Sequence, residues 1–166
     1  MKHHATLTAC ASLLAAGMLA AAAPSVSADP AKYPTHNAAA QQLRQAGITW
    51  SSSGRCSDRN VNTCTSFTQI NKATIAGVIA FKKASRCAVN ITGGTEKGHS
   101  PGTYSHWNGY KVDISPNQCA DNYITGNFRY AGRRGGDNAK MYKSPAGNVY
   151  AREGSHWDIL YYNGNR

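Results

Sequence analysis

The sequence predicts an α+β domain. Helical periodicity is confined to its first half, short period-2 runs and turns fill the second, and four cysteines remain once an apolar N-terminal leader is set aside. Helices segregated from strands argue for helices packed on one side of a small, mainly antiparallel sheet. An even cysteine count in an exported chain argues for two disulfides.

The elements follow in order. Lys2, His3 and His4 precede an Ala- and Leu-rich run from Ala5 to Ala23, and Val26-Ser27-Ala28 fits a small-residue cleavage site, so residues 1–28 read as a secretory signal peptide. Cys10 falls inside that leader. Residues 29–65 form an N-terminal helix and a disulfide loop. Thr35 caps a helix to Ala46, Ala38, Ala39 and Leu43 supply its apolar stripe, and Gly47 stops it. The polar stretch 50–63 reads as a loop. Residues 66–166 form the core of the same single domain. Ser66 and Gln69 make a capping-box pattern, and Ile70, Thr74, Val78 and Phe81 share the buried face of the helix it opens. Lys82 and Lys83 suit that helix's C-terminal end. Ala88–Thr92 is a strand, 93–102 a loop, and Tyr110–Ser115 a period-2 strand with Asp113 on its polar side. Residues 117–138 are Gly- and Asn-rich and read mostly as loop, with Arg133-Arg134-Gly135-Gly136 a solvated basic segment. Met141–Tyr142, Val149–Ala151 and His156–Tyr162 complete the strands.

Cys56, Cys64, Cys87 and Cys119 allow three pairings. Cys56–Cys64 as a local clip and Cys87–Cys119 as a longer staple is the favoured one. No pair has the two-to-four-residue separation of a cysteine zinc site. The net charge is +10 for the whole chain and +9 without the leader, which holds one lysine and no acid. Such a surface attracts polyanions. In an exported chain the expected polyanions are anionic cell-wall polymer and acidic wall peptides, with nucleic acid the other possibility and solubility alone the bland reading.

Only four histidines follow the leader: His36, His99, His106 and His156. A catalytic zinc takes three protein ligands, commonly His and carboxylate, and leaves one position open. His106 lies in the loop entering the Tyr110–Ser115 strand, Gly109 lets the backbone turn between them, and Asp113 lies on the strand. These two can converge on one point, and a neighbouring strand beginning at His156 can bring a third ligand there. Glu153, just ahead, is placed as general base. His99 is a candidate fourth ligand, transition-state donor or substrate contact, against a plainly exposed histidine, and Lys111 a candidate contact for a substrate carboxylate, against a lysine snorkelling to solvent. Asp158 can orient His156 or hold another bond behind the ligands, with a surface ion pair as the alternative. Trp107 and Trp157 read first as core, with substrate stacking second, and His36 as surface or core.

His106-x-x-Gly109-x-x-x-Asp113 followed by Glu153-x-x-His156 resembles the zinc D-Ala-D-Ala carboxypeptidase family, which includes L-Ala-D-Glu peptidases and shares its fold with the hedgehog signalling domain. The resemblance spans roughly residues 66–162, with Ile91-Thr92-Gly93-Gly94 similar to the strand-to-loop entry of these enzymes. It implies a hedgehog/DD-peptidase-like fold, Zn2+ held by His106, Asp113 and His156, and Glu153 as the base. The chain departs from the pattern at Tyr104, at Lys111, and at Thr95-Glu96-Lys97, where the family often carries an Arg.

The resulting expectation is a secreted, extracellular or wall-associated zinc metallopeptidase acting on peptidoglycan stem or cross-link peptides. It is expected as a monomer without a stable membrane anchor. A non-catalytic binding module for wall polymer or protein is the alternative. A basic secreted nuclease leaves the Gly109–Asp113 spacing unexplained, so no nucleic-acid partner is expected.

Overall fold

The computed structural model describes residues 31–162. The expected signal peptide and Cys10 lie outside the described residues. Three helices, α1 (His36–Gln45), α2 (Lys72–Ser85) and α3 (Gln118–Asn127), accompany seven strands. These are β1 (Thr49–Trp50), β2 (Asn90–Gly93), β3 (Lys111–Ile114), β4 (Arg129–Arg133), β5 (Lys140–Lys143), β6 (Val149–Arg152) and β7 (Trp157–Leu160). The strands form one sheet in the order β1-β2-β3-β7-β6-β5-β4. Only β1–β2 is parallel; the other neighbours are antiparallel. The class is α+β, as the segregation of helix and strand signals predicts.

The helices start where capping chemistry allows. Thr35 caps α1 through Ala38 N, and Ala39, Ala40 and Leu43 are its buried residues. The helix predicted from Ser66 begins only at Lys72. Gln69 is left-handed at φ 65°, which a helix does not accommodate. The Ser66 N–H is taken by Glu96 Oε2 at 2.7 Å instead of by a capping partner. Ile70, Thr74, Val78 and Phe81 are all buried as expected, although Ile70 sits in the strap before the helix. Residues 118–127, expected as loop, form α3. Asn117 caps it through Ala120 N at 2.9 Å, and Ala120 and Ile124, one turn apart, are buried. Residues 129–133, also expected as loop, are β4.

The core lies between the helices and one sheet face. Val112, Tyr150 and Ile159 face Phe81 of α2 and Ile124 of α3 within a single cluster. Trp157 is fully buried there, and its Nε1 donates to Asp121 Oδ1 at 2.7 Å. His36 is structural: its ring stacks on Phe67 at 4.8 Å, and its Nδ1 accepts from Phe67 N. Both expected disulfides are present, with Cα–Cα separations of 4.7 Å for Cys56–Cys64 and 5.6 Å for Cys87–Cys119. They fit an oxidising compartment. No helix among the described residues is long and apolar enough to cross a membrane.

Residues alternate sides along a strand, so the face away from the helices carries the residues between the core positions. Asp113 of β3 and Asp158 of β7 are direct cross-strand partners on that face.

Candidate metal centre

His106 is positioned by the loop that enters β3. Gly109 adopts φ +83°, and a Cβ there would meet Gln69 O at 2.7 Å, so the turn requires glycine. Its carbonyl is fixed by Thr74 Oγ1 at 2.8 Å. The His106 ring is anchored from behind, with Nδ1 2.7 Å from the Gly94 carbonyl. A carbonyl only accepts, so Nδ1 carries the proton and Nε2 is turned into the cleft.

Nε2 of His106 lies 3.3 Å from Asp113 Oδ1 and 3.5 Å from Asp158 Oδ1. Nε2 of His156 lies 3.5 Å from the same Asp113 Oδ1 and 3.3 Å from Glu153 Oε2. His156 itself sits just ahead of β7, not in it, and its Nδ1 is 3.0 Å from Ser155 Oγ. The sequence-predicted set His106, Asp113, His156 and Glu153 therefore meets in one cleft of ≈ 620 Å³.

His99 joins them. The loop histidine expected to be exposed packs against His106, ring centroids 3.8 Å apart and 13° from parallel. Its Nδ1 is 3.7 Å from Asp113 Oδ2, and its Nε2 is 3.1 Å from Glu96 Oε1. His99, His106 and Asp113 offer ligand atoms within 4.8 Å of one another, a group that can hold a metal ion.

The sequence reading gives Glu96 and Arg134 no role in the site. Buried Glu96 accepts from Ser66 N and Gly94 N and backs His99. A signal for it existed: Glu96-x-x-His99 repeats the spacing of Glu153-x-x-His156. Arg134, read as part of a solvated loop, reaches the cleft from the β4–β5 hairpin tip. It donates to Asp158 Oδ2 at 2.6 Å and also engages Glu153 and Asp137. Lys111 is likewise committed, donating to Asp158 Oδ2 at 2.7 Å instead of extending to solvent. Asp158 thus binds two cations and faces His106, not His156. Trp107 is a correction to its core reading: it is 40% exposed, with the Arg59 guanidinium 3.6 Å above its ring.

The electrostatics follow from this packing. Burial lowers the His106 pKa, but Asp113 and Asp158 outweigh it and raise the value to about 10. Burial pushes Asp158 up, while His106 and Lys111 prevail and hold its carboxyl far below the usual carboxylate range. Asp113 Oδ1 and Asp158 Oδ1 are both buried without a hydrogen-bond partner. Buried carboxylate oxygens rarely stay unsatisfied, and both face imidazole nitrogen. That is the surrounding a bound cation would complete.

No protein-family model matches the chain, and no match was found among curated proteins or solved structures.

Proposed function

We propose that the protein is a secreted zinc-dependent peptidase acting on peptidoglycan stem or cross-link peptides, with His106, Asp113 and His156 as ligands and Glu153 as general base. One atom carries the reading. Asp113 Oδ1 is buried without a hydrogen-bond partner and stands 3.3 Å from His106 Nε2 and 3.5 Å from His156 Nε2. Two imidazoles and a carboxylate are the donor set of a catalytic zinc with an open position. His99 is the competing third donor. Its ring is parallel to that of His106, and the ring-nitrogen lone pairs lie in the ring planes. The two cannot converge on one ion unless a ring turns. His156 meets the other oxygen of Asp113 and has no such stacking among the described residues.

Zinc held there would supply a Lewis acid that polarises a scissile carbonyl and lets water attack near neutral pH. Glu153 Oε2, 3.3 Å from His156 Nε2, takes the proton of the attacking water and passes it to the leaving amine nitrogen. Arg134 holds the other Glu153 oxygen and so orients the carboxylate. Arg134 also supplies the cation that the resembling family carries in its entry loop, and it stabilises charge developing on the carbonyl oxygen. Helices on one sheet face and a metal cleft on the other accord with the hedgehog/DD-peptidase-like arrangement. Two disulfides and the apolar leader support secretion, and the positive charge supports attachment to anionic wall polymer.

The test is hydrolysis of peptidoglycan peptides by zinc-loaded protein and its Glu153→Gln variant. The expected result is one zinc bound by both and a loss of about 100-fold or more in kcat for the variant. Unchanged turnover, or no stoichiometric zinc, refutes the reading. Peptide binding without hydrolysis by the parent would favour a binding module on the same fold. That alternative draws support from Arg134, which already engages the proposed base.

A further inference from the structure

The sheet face that carries the cleft continues well past it. Cross-strand register places Lys111, Leu160, Val149, Lys143 and Arg129 in one row at right angles to the strands. Directly paired residues project from the same face. Lys111 shares its face with Asp113, two residues along β3. The row therefore runs along the cleft side, away from the helices, and at roughly 4.8 Å per strand it is about 19 Å long. Leu160, Val149 and Lys143 are half-buried and Arg129 is exposed.

The far end is electrostatically unusual. Arg129 and Lys143 are directly opposed like charges, an arrangement that costs stability. Among the described residues neither forms an ion pair with a carboxylate. Together they line a hollow of ≈ 350 Å³ with Asn127, Ser144 and Gly147. The chain has eight acidic residues. Glu96, Asp113, Asp137, Glu153 and Asp158 gather in or beside the metal cleft, and Asp121 is held by Arg152 and Trp157. Asp58 accepts from Asn60 N in its own turn, and Asp29 lies outside the described residues. Among the described residues no carboxylate balances Arg129 and Lys143, which leaves the pair open to an anionic ligand.

We propose that Arg129 and Lys143 form a second, anion-binding subsite that takes a distal carboxylate of an extended acidic peptide whose scissile bond lies in the metal cleft. This rests on the peptidase reading. The partly exposed Leu160 and Val149 between the charged ends provide an apolar floor, which suits peptide side chains better than a phosphodiester backbone. An extended peptide rises roughly 3.3 Å per residue, so about five or six residues span the row. The substrate class is then a long acidic peptide, cut at a bond well removed from the recognised acid, and not a dipeptide.

The experiment uses two dye-labelled hexapeptides with a zinc-binding hydroxamate at one end and, at the other, either a glutamate or a glutamine as the only difference. Binding to the zinc-loaded protein is read by fluorescence anisotropy. The glutamate peptide is expected to bind about 10-fold tighter, consistent with a charge-assisted carboxylate pair. The double variant Arg129→Gln/Lys143→Gln should remove that difference while leaving the glutamine peptide's affinity unchanged and the thermal midpoint of the protein no lower, since it relieves the like-charge pair. Equal binding of the two peptides to the parent, or no binding of either, overturns the proposal. So does a double variant that keeps the preference. Zinc content measured on the same samples reports on the metal reading separately: a protein without zinc that still prefers the glutamate peptide keeps the subsite and loses the peptidase.

Discussion

Gly94→Ala tests how the histidine is aimed. A Cβ at Gly94 would lie 2.0 Å from Ser66 O, a backbone atom. Contacts under 3.0 Å are essentially never tolerated, so one backbone must move by at least the difference of those two distances, about 1 Å. Ser66 O cannot yield freely, because it accepts from Thr95 N at 2.7 Å. Nor can residue 94, whose N–H donates to Glu96 and whose carbonyl receives His106 Nδ1 at 2.7 Å. Overpacking of this kind costs about 1–3 kcal/mol. Loss of a hydrogen bond behind a metal-binding histidine costs about 10- to 100-fold in metal affinity. The assay pairs urea unfolding with zinc titration against a competing chelating dye. The expected outcome is both losses together. Normal zinc affinity in a destabilised Gly94→Ala protein would refute the claim that the Gly94 carbonyl aims His106.

Other predictions follow from the same contacts. Because the folded His106 pKa is raised from 6.5 to about 10, its contribution to the metal-free protein is full below about pH 6.5 and lost as pH rises through about 10. Urea unfolding of chelator-treated protein should therefore show stability falling by up to about 5 kcal/mol across that window; a flat profile contradicts the pairing with Asp113 and Asp158. Zinc should flatten the same profile, since coordination needs the neutral imidazole. Replacing Cys87 and Cys119 by alanine opens a loop of sequence separation 32 and should cost about 3–4 kcal/mol in the chain-entropy model, read by thermal unfolding. Arg134→Met should lower kcat on wall peptides by about 100-fold with zinc content unchanged; an equal rise in KM alone would make Arg134 a substrate anchor instead.

The convergence of His106, Asp113, His156 and Glu153 in one cleft was legible because their spacing survives translation into structure. Asp113 falls on a period-2 strand, and His156 immediately precedes a strand that pairs with it. The second half of the site was hidden for identifiable reasons. Arg134 is carried by a hairpin tip whose Gly135-Gly136 sequence looks like solvated loop, and only the pairing of β4 with β5 brings it back over the cleft. Helix α3 has few strong helix formers, Gln118 and Ala120 standing among Asn, Thr, Cys and Gly. It is held by its Asn117 cap, by Cys119 and by burial of Ala120 and Ile124. Ser66 carries a cap signature without its helix, because a carboxylate 30 residues away takes its N–H. The Trp107 reading fails because Arg59, distant in sequence, covers the ring at the surface.

The most direct test of the central claim is anomalous diffraction at the zinc edge from crystals grown with zinc. The account predicts one ion bonded at roughly 2.0–2.2 Å to His106 Nε2, an Asp113 oxygen and His156 Nε2, with Glu153 beside it but not coordinated. An ion bound between His99 and Glu96, or no ion in the cleft, would contradict it.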